Sequence, residues 1–231
     1  MQQQAENWHD AGSPDVRLPA HELIYRRLRE MILFGDLTPG QAVTIQGLID
    51  ELGAGMTPVR EAIRRLTSQG ALEFQGNRRV CVPQLKPGDI DEMIVAREWL
   101  DPYLIRRAAV TVGPAETGRL AAIDAALDLA IRRGDLRAYL QGNYKFHMML
   151  YDLAASPLLA ELAEGLWLRF GPSMRVVCGR MGTQNLPDNH KAALGALRAG
   201  DPDAAAEAIG RDVRQGMEQL RLALEPPCSA R

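Results

Sequence analysis

Residues 56–83, "MTPVREAIRRLTSQGALEFQGNRRVCVP", decide the fold. Val59, Ala62, Ile63 and Leu66 recur at i, i+3, i+4 and i+7, the stripe of a helix with one buried face. Arg60 and Arg64 stand four residues apart on the opposite face, close to Thr57, while Arg65 flanks the stripe. Thr57 reads as the N-cap and Pro58 as the first helical residue, where a missing N–H is tolerated. The helix stops before Gly70. "ALEFQGNRRVCVP" then alternates into two strands joined at Gly76-Asn77, with Arg78 and Arg79 at the tip of the ribbon.

Working outward from this stretch, "LPAHELIYRRLREMILFGDLTPG" places Leu23, Ile24, Leu28, Ile32 and Leu33 at helical spacing, with Gly35 as a stop. Pro39-Gly40 makes a turn, and "TIQGLIDELGA" makes a second helix capped by Thr44 and ended by Gly53. Helix, helix, turn, helix and β-ribbon, in that order, is the plan of a winged helix-turn-helix. In that plan the third helix enters a major groove by its N-terminal half. The tip of the wing can reach phosphate or the adjacent minor groove. Between Gly55 and Val82 five arginines face only Glu61 and Glu73, whereas the whole chain has a net charge of −2. Such a local sign reversal is the footprint of a double-stranded DNA binder.

"PQLKPGDID" breaks the pattern as a linker, and everything after it is helical. Helices are expected near 88–112, 114–133, 135–154, 156–178, 188–199 and 202–224, separated by Gly, Pro, Asp and Asn. The predicted fold is mainly α. A disordered arm (1–17) precedes the winged helix-turn-helix (18–83), a linker (84–88), an all-α bundle of about six helices (89–225) and a tail (226–231). The chain has no apolar run long enough to span a bilayer and no secretory leader pattern. Cys81, Cys178 and Cys228 are an odd, scattered set without a CxxC pair. These features predict a cytoplasmic protein with no membrane partner and reduced thiols.

The bundle's polar residues admit several roles. Asn143 and His147 are four apart on one helix, His190 opens the next-to-last helix, and Asp212 lies on the last. Three helices can thus bring imidazole and oxygen donors together inside a bundle, although each residue taken singly also fits an ordinary packed or surface position. Arg97 either clamps a carboxylate or pairs with Asp101 on the helix surface.

The segment from Tyr25 to Val82 resembles the N-terminal domain of GntR-type bacterial transcription regulators, through "IYRRLREMILFGDLTPG", "TPVREAIRRL" and the wing. From about residue 89 the chain resembles the FCD-type C-terminal domain of the same family, through "AREWLDPYLIRRAAV", "NYKFH" and "HKAALGALRAGDPDAAAEAIGRD". The resemblance implies DNA contacts from Thr57, Arg60, Arg64, Gly76, Arg78 and Arg79. It implies a divalent metal of the zinc, nickel or manganese class at Asn143, His147, His190 and Asp212, and a small carboxylate metabolite near Arg97. Asn143 stands where the family has aspartate, and Asp212 where it has the last histidine. Gly55-Met56 stands where many members have Ser-Arg, so the operator is expected to differ from the usual one. Reading a palindrome requires a homodimer. A metal-dependent enzyme with a DNA-targeting head, or an effector-free DNA-binding scaffold, are the alternatives. Against the enzyme, no HExxH pair, nucleophile elbow or phosphate-binding glycine loop occurs.

Overall fold

The structure, a computed structural model, describes residues 19–76, 78–181 and 188–224. The expected arm, the tail with Cys228, Asn77 and most of the loop before His190 lie outside these residues. The head is built from α1 (Ala20–Leu33), β1 (Ala42–Thr44), α2 (Ile45–Leu52), α3 (Met56–Ser68), β2 (Glu73–Phe74) and β3 (Arg79–Cys81). Six helices follow: α4 (Pro87–Thr111), α5 (Pro114–Arg133), α6 (Leu136–Leu153), α7 (Pro157–Met181), α8 (Asn189–Ala199) and α9 (Pro202–Leu224). Helical architecture and order agree with the sequence. No helix among the described residues is long and apolar enough to cross a membrane.

Local chemistry accounts for most boundaries. The Thr44 hydroxyl accepts from the Gly47 N–H at 3.0 Å, and Gly53 ends α2 in the left-handed region at φ 59°. Asp135 and Asp188 cap α6 and α8, accepting from the N–H groups of Ala138 and Lys191. Pro87 and Pro114 each occupy the first position of a helix. The short sheet has the antiparallel order β1-β3-β2, so "QAV" leads into a third strand where only a turn was expected. A three-residue strand is too short to show alternation. In α1, Leu23 is largely exposed while Tyr25 and Met31 join the core, so the buried face is rotated slightly from the one expected.

Head and bundle pack against each other through α1 and α7. The Arg29 guanidinium donates to the Tyr144 hydroxyl and pairs with Glu164, and Phe34 meets the Tyr144 ring edge-on at 5.9 Å. Arg175 donates to the Phe34 carbonyl at 3.2 Å. The helices approach closely because Gly171 has no side chain: a Cβ there would lie 3.1 Å from the Leu33 carbonyl oxygen. Gly171→Val is therefore expected to destabilise the protein by about 1–3 kcal/mol in thermal denaturation. Gly165→Val on the same helix, with nothing within 4 Å of its Cβ, is the control for helix propensity.

Candidate functional site

On α3 the stripe Val59, Ala62, Ile63 and Leu66 is at most 2% exposed, and Thr57, Arg60, Glu61 and Arg64 face solvent. Burying each of the larger apolar side chains contributes about 2 kcal/mol and fixes which face is presented. The three arginines divide by role. Arg65 pairs with Glu22 at 2.9 Å and stacks over the Tyr25 ring at 3.6 Å, tying α3 to α1. Among the described residues no ion pair engages Arg60 or Arg64, whose guanidinium groups stay available to a partner. Thr57 is not the N-cap: α3 starts at Met56, Gly55 is the cap residue, and no side chain caps it. Pro58 thus sits at the third position, which is still within the first turn, where N–H groups lack helical partners. Thr57 is exposed in the first turn of α3. On the wing, Gly76 takes φ 69° with nothing within 4 Å of its Cβ position, and Arg78 and Arg79 are exposed.

The second constellation is inside the bundle. His147 from α6, His190 from α8 and Asp212 from α9 bring one ligand atom each within 4.8 Å of one another. Asp212 Oδ2 lies 3.1 Å from His147 Nε2 and 3.7 Å from His190 Nε2. His190 stacks on Phe146 with ring centroids 4.0 Å apart, which fixes its plane. Asn143, one turn before His147, lines the same small cavity, as do Arg97, Trp167 and Met174. That cavity holds about 20 Å³, room for an ion or one water.

Arg97 is not a surface residue. It is 4% exposed and Asp101 0%; Arg97 Nε donates to Asp101 Oδ2 at 2.9 Å, so the expected pair exists but is buried. The Tyr151 hydroxyl donates to the other Asp101 oxygen at 2.7 Å. Trp167 and Phe170 pack against the guanidinium at 5.0 and 4.6 Å from their ring centroids. Arg97 Nη2, though 2.8 Å from Asp101, has no properly angled hydrogen bond. His147 Nδ1 and His190 Nε2 are likewise buried without a hydrogen-bond partner. Two of these unsatisfied groups belong to Arg97 and His147, which line the small cavity, and the third, His190 Nε2, lies 3.7 Å from Asp212, which lines it too; buried polar atoms are normally paired. A larger cavity of about 330 Å³ lies at the joint of head and bundle, beside Gly70, Met93 and Arg169, but none of these orphaned groups borders it.

Burial opposes a positive charge on His190, but the carboxylates of Asp124 and Asp212 outweigh it and hold the imidazole up at about 9. Burial lowers His147, despite its bond to Asp212. Burial would raise Asp212, yet the two imidazoles hold it well below the usual carboxylate range. A divalent cation entering here would displace the His190 proton and meet a carboxylate already ionised. The donor set, two imidazoles and a carboxylate with an amide beside them, suits a borderline divalent metal.

Sequence reasoning missed Asp124, whose Oδ1 lies 3.6 Å from His190 Nδ1, and the buried Tyr151 and Trp167, and it placed Asp101 on the helix surface. Signals existed. Asp124 falls on the buried stripe of α5 with Thr117, Leu120 and Leu127, and Asp101 on that of α4 with Ile90, Met93 and Leu104. A carboxylate at a core position requires a partner.

A winged helix-turn-helix with an arginine-bearing third helix, joined to an all-helical domain, defines a class of DNA-binding transcription regulators. The family pattern "Bacterial regulatory proteins, gntR family" matches residues 20–82, and the "FCD domain" pattern matches residues 92–215. The chain belongs to the GntR family and carries an FCD domain. It is 27% identical over 196 residues to the HTH-type transcriptional regulator McbR of Escherichia coli (strain K12), covering 84% of this chain and 89% of that protein. It is 22% identical over 204 residues to the HTH-type transcriptional repressor RspR of the same strain, covering 88% and 90%. The solved structure of E. coli McbR/YncC superposes with a TM-score of 0.82 at 25% identity, over 88% of this chain and 97% of that one. The family and these relatives are transcription regulators, not enzymes.

Proposed function

We propose that this regulator binds a palindromic operator as a cytoplasmic homodimer and that a small organic acid in the bundle modulates its DNA affinity, with a divalent metal as cofactor. In this division residues 18–83 bind DNA, 84–88 link, and 89–225 sense and dimerise. Thr57, Arg60 and Arg64 read the major groove, with Gly76, Arg78 and Arg79 on the wing. His147, His190 and Asp212 would hold the metal with Asn143 beside them, and Arg97 would bind the carboxylate. Bound there, the metal would supply positive charge for the acid's oxygens. The single observation that carries this is a cavity walled by the unsatisfied buried groups of Arg97 and His147 and by Asp212, against which the unsatisfied His190 Nε2 lies at 3.7 Å.

The cavity's small size bears on mechanism. At about 20 Å³ it cannot admit an organic acid unless its walls move. Trp167 is one wall, and its ring meets Tyr144 edge-on at 5.5 Å; Tyr144 in turn accepts from Arg29 of the head. Displacement of Trp167 by a ligand would therefore press on the α6–α7 surface against which α1 is seated. A ligand that fits only the displaced arrangement shifts the head's position by its differential affinity.

A thermal-shift screen of small mono- and dicarboxylic acids, with and without added Zn²⁺, Ni²⁺ or Mn²⁺, tests the effector half. At least one acid is expected to raise the melting temperature more in the presence of metal, and Arg97→Met is expected to abolish that increment. Acids that stabilise the Arg97→Met variant as well as the wild type would remove Arg97 from the site.

A further inference from the structure

We infer that the outward stripe of α4, Glu92, Val95, Trp99, Tyr103, Arg106 and Val110, is a self-complementary face that docks against the same stripe of a second copy, the two helices antiparallel and crossing at Trp99. This rests on the dimer proposed above and names the surface that makes it.

α4 is apolar on two sides. Its inner side buries Ile90, Met93, Leu104, Ile105 and Ala108 in the core. Its outer side leaves Trp99 80%, Val110 79%, Val95 60% and Tyr103 48% exposed. A helix apolar all round is ordinarily covered all round. At about 100° per residue, the six outward positions lie within about 40° of the direction of Trp99, one continuous stripe along the helix.

The distribution of charge on this stripe selects the occupant. Glu92 lies seven residues before Trp99 and Arg106 seven after; Val95 and Tyr103 lie four to either side. Antiparallel pairing about a two-fold axis at Trp99 brings Glu92 of each copy opposite Arg106 of the other. The same register sets Val95 opposite Tyr103, Trp99 against its own equivalent, and Val110 opposite Gly88, eleven residues before Trp99. A parallel pairing would put like charges together at both ends, which disfavours it. Opposite signs equidistant from a central aromatic meet the self-complementarity of an isologous contact, in which one patch serves both partners. Arg106 already pairs with Asp203 at 2.7 Å but keeps 51% of its side chain exposed, enough to share with an incoming carboxylate. A large ring at the centre of the patch, rimmed by charge, also has the composition of an interface hot spot.

The face lies on the same helix as Arg97 and Asp101, which point to the other side, into the bundle. A shift of α4 caused at the pocket would therefore be transmitted to the dimer contact, and so to the spacing of the two heads.

Sedimentation velocity of the full chain at low micromolar concentration tests the inference. The wild type is expected to be dimeric and Trp99→Glu monomeric, with unchanged far-ultraviolet circular dichroism. Glu92→Arg alone should weaken the dimer about tenfold, by setting like charges opposed at both ends. Combining it with Arg106→Glu should restore most of that loss. The two positions are about 21 Å apart along one helix, so rescue can arise only between copies. Trp99→Cys should cross-link to its own equivalent under oxidation, and Val110→Cys should not. If Trp99→Glu does not fold, the charge swap and the cross-link decide. A wild-type dimer whose affinity survives both Trp99→Glu and Glu92→Arg overturns this face while leaving the dimer itself standing. A weakened Glu92→Arg dimer that the double swap fails to rescue overturns the antiparallel register. A wild type that is monomeric with and without duplex DNA overturns the dimer proposal and this face together.

Discussion

Replacing Arg60 and Arg64 together by glutamine is expected to lower affinity for duplexes that the wild-type chain selects from a random-sequence pool by about 100-fold or more. Loss of an arginine contact to a base edge costs about 1–3 kcal/mol, and both side chains project from the solvent face of α3. To the extent that these arginines contact phosphate, the slope of log affinity against log salt should also fall, by about one per contact. Stability should change by no more than about 0.5 kcal/mol, since both side chains are exposed and neither belongs to an ion pair among the described residues. The same exchange at Arg65 should behave differently. It removes the pair with Glu22 and the stacking on Tyr25, so it should loosen α3 against α1 before it affects DNA contacts. Anisotropy titrations at several salt concentrations separate the cases; wild-type affinity in the double variant would remove α3 as the reading helix.

The largest stability effect is expected at Asp101. Asp101→Leu removes the only carboxylate in direct ion-pair contact with Arg97 among the described residues and the acceptor of the Tyr151 hydroxyl, leaving a guanidinium 4% exposed without its contact partner. Breaking a buried pair from one side costs about 3–5 kcal/mol, which for a chain of this size lowers the melting temperature by about 10 °C. The double variant Arg97→Met, Asp101→Leu should recover most of that loss, because a buried pair exchanged for apolar side chains is close to neutral. This separates two roles for Arg97. The double variant should fold yet respond to no carboxylate, so a stable protein that has lost only its ligand response assigns the pair to sensing. A single Asp101→Leu variant with unchanged melting would show that Arg97 has another counter-charge.

Much of this was legible in the sequence because it follows from local chemistry. Thr44 and Gly53 bound α2, Pro87 and Pro114 begin helices, and the apolar spacing in α3 leaves only one face to bury. The strand at Ala42–Thr44 was hidden because three residues carry no period and its pairing depends on β3, far along the chain. Gly55 was overlooked as cap residue because Thr57 has the better capping chemistry and the chain's bend decides instead. Burial is where sequence spacing ran out. Arg97 and Asp101 at i, i+4 look alike on a surface and in a core; only their coincidence with Met93 and Leu104 on one stripe distinguishes the two. Likewise Asp212, flanked by Arg211 and Arg214, has the local look of a surface carboxylate, yet packing of α9 aims it at two histidines.

Metal content is the most direct measure of what the polar cluster in the bundle binds. The purified chain, equilibrated with Zn²⁺ and freed of excess by dialysis, would be compared with a His147→Ala, His190→Ala variant by elemental analysis. About one zinc per wild-type chain and almost none in the variant is the predicted result, since two of the three clustered donors are removed. Negligible zinc in both proteins, or equal zinc in both, would contradict the site.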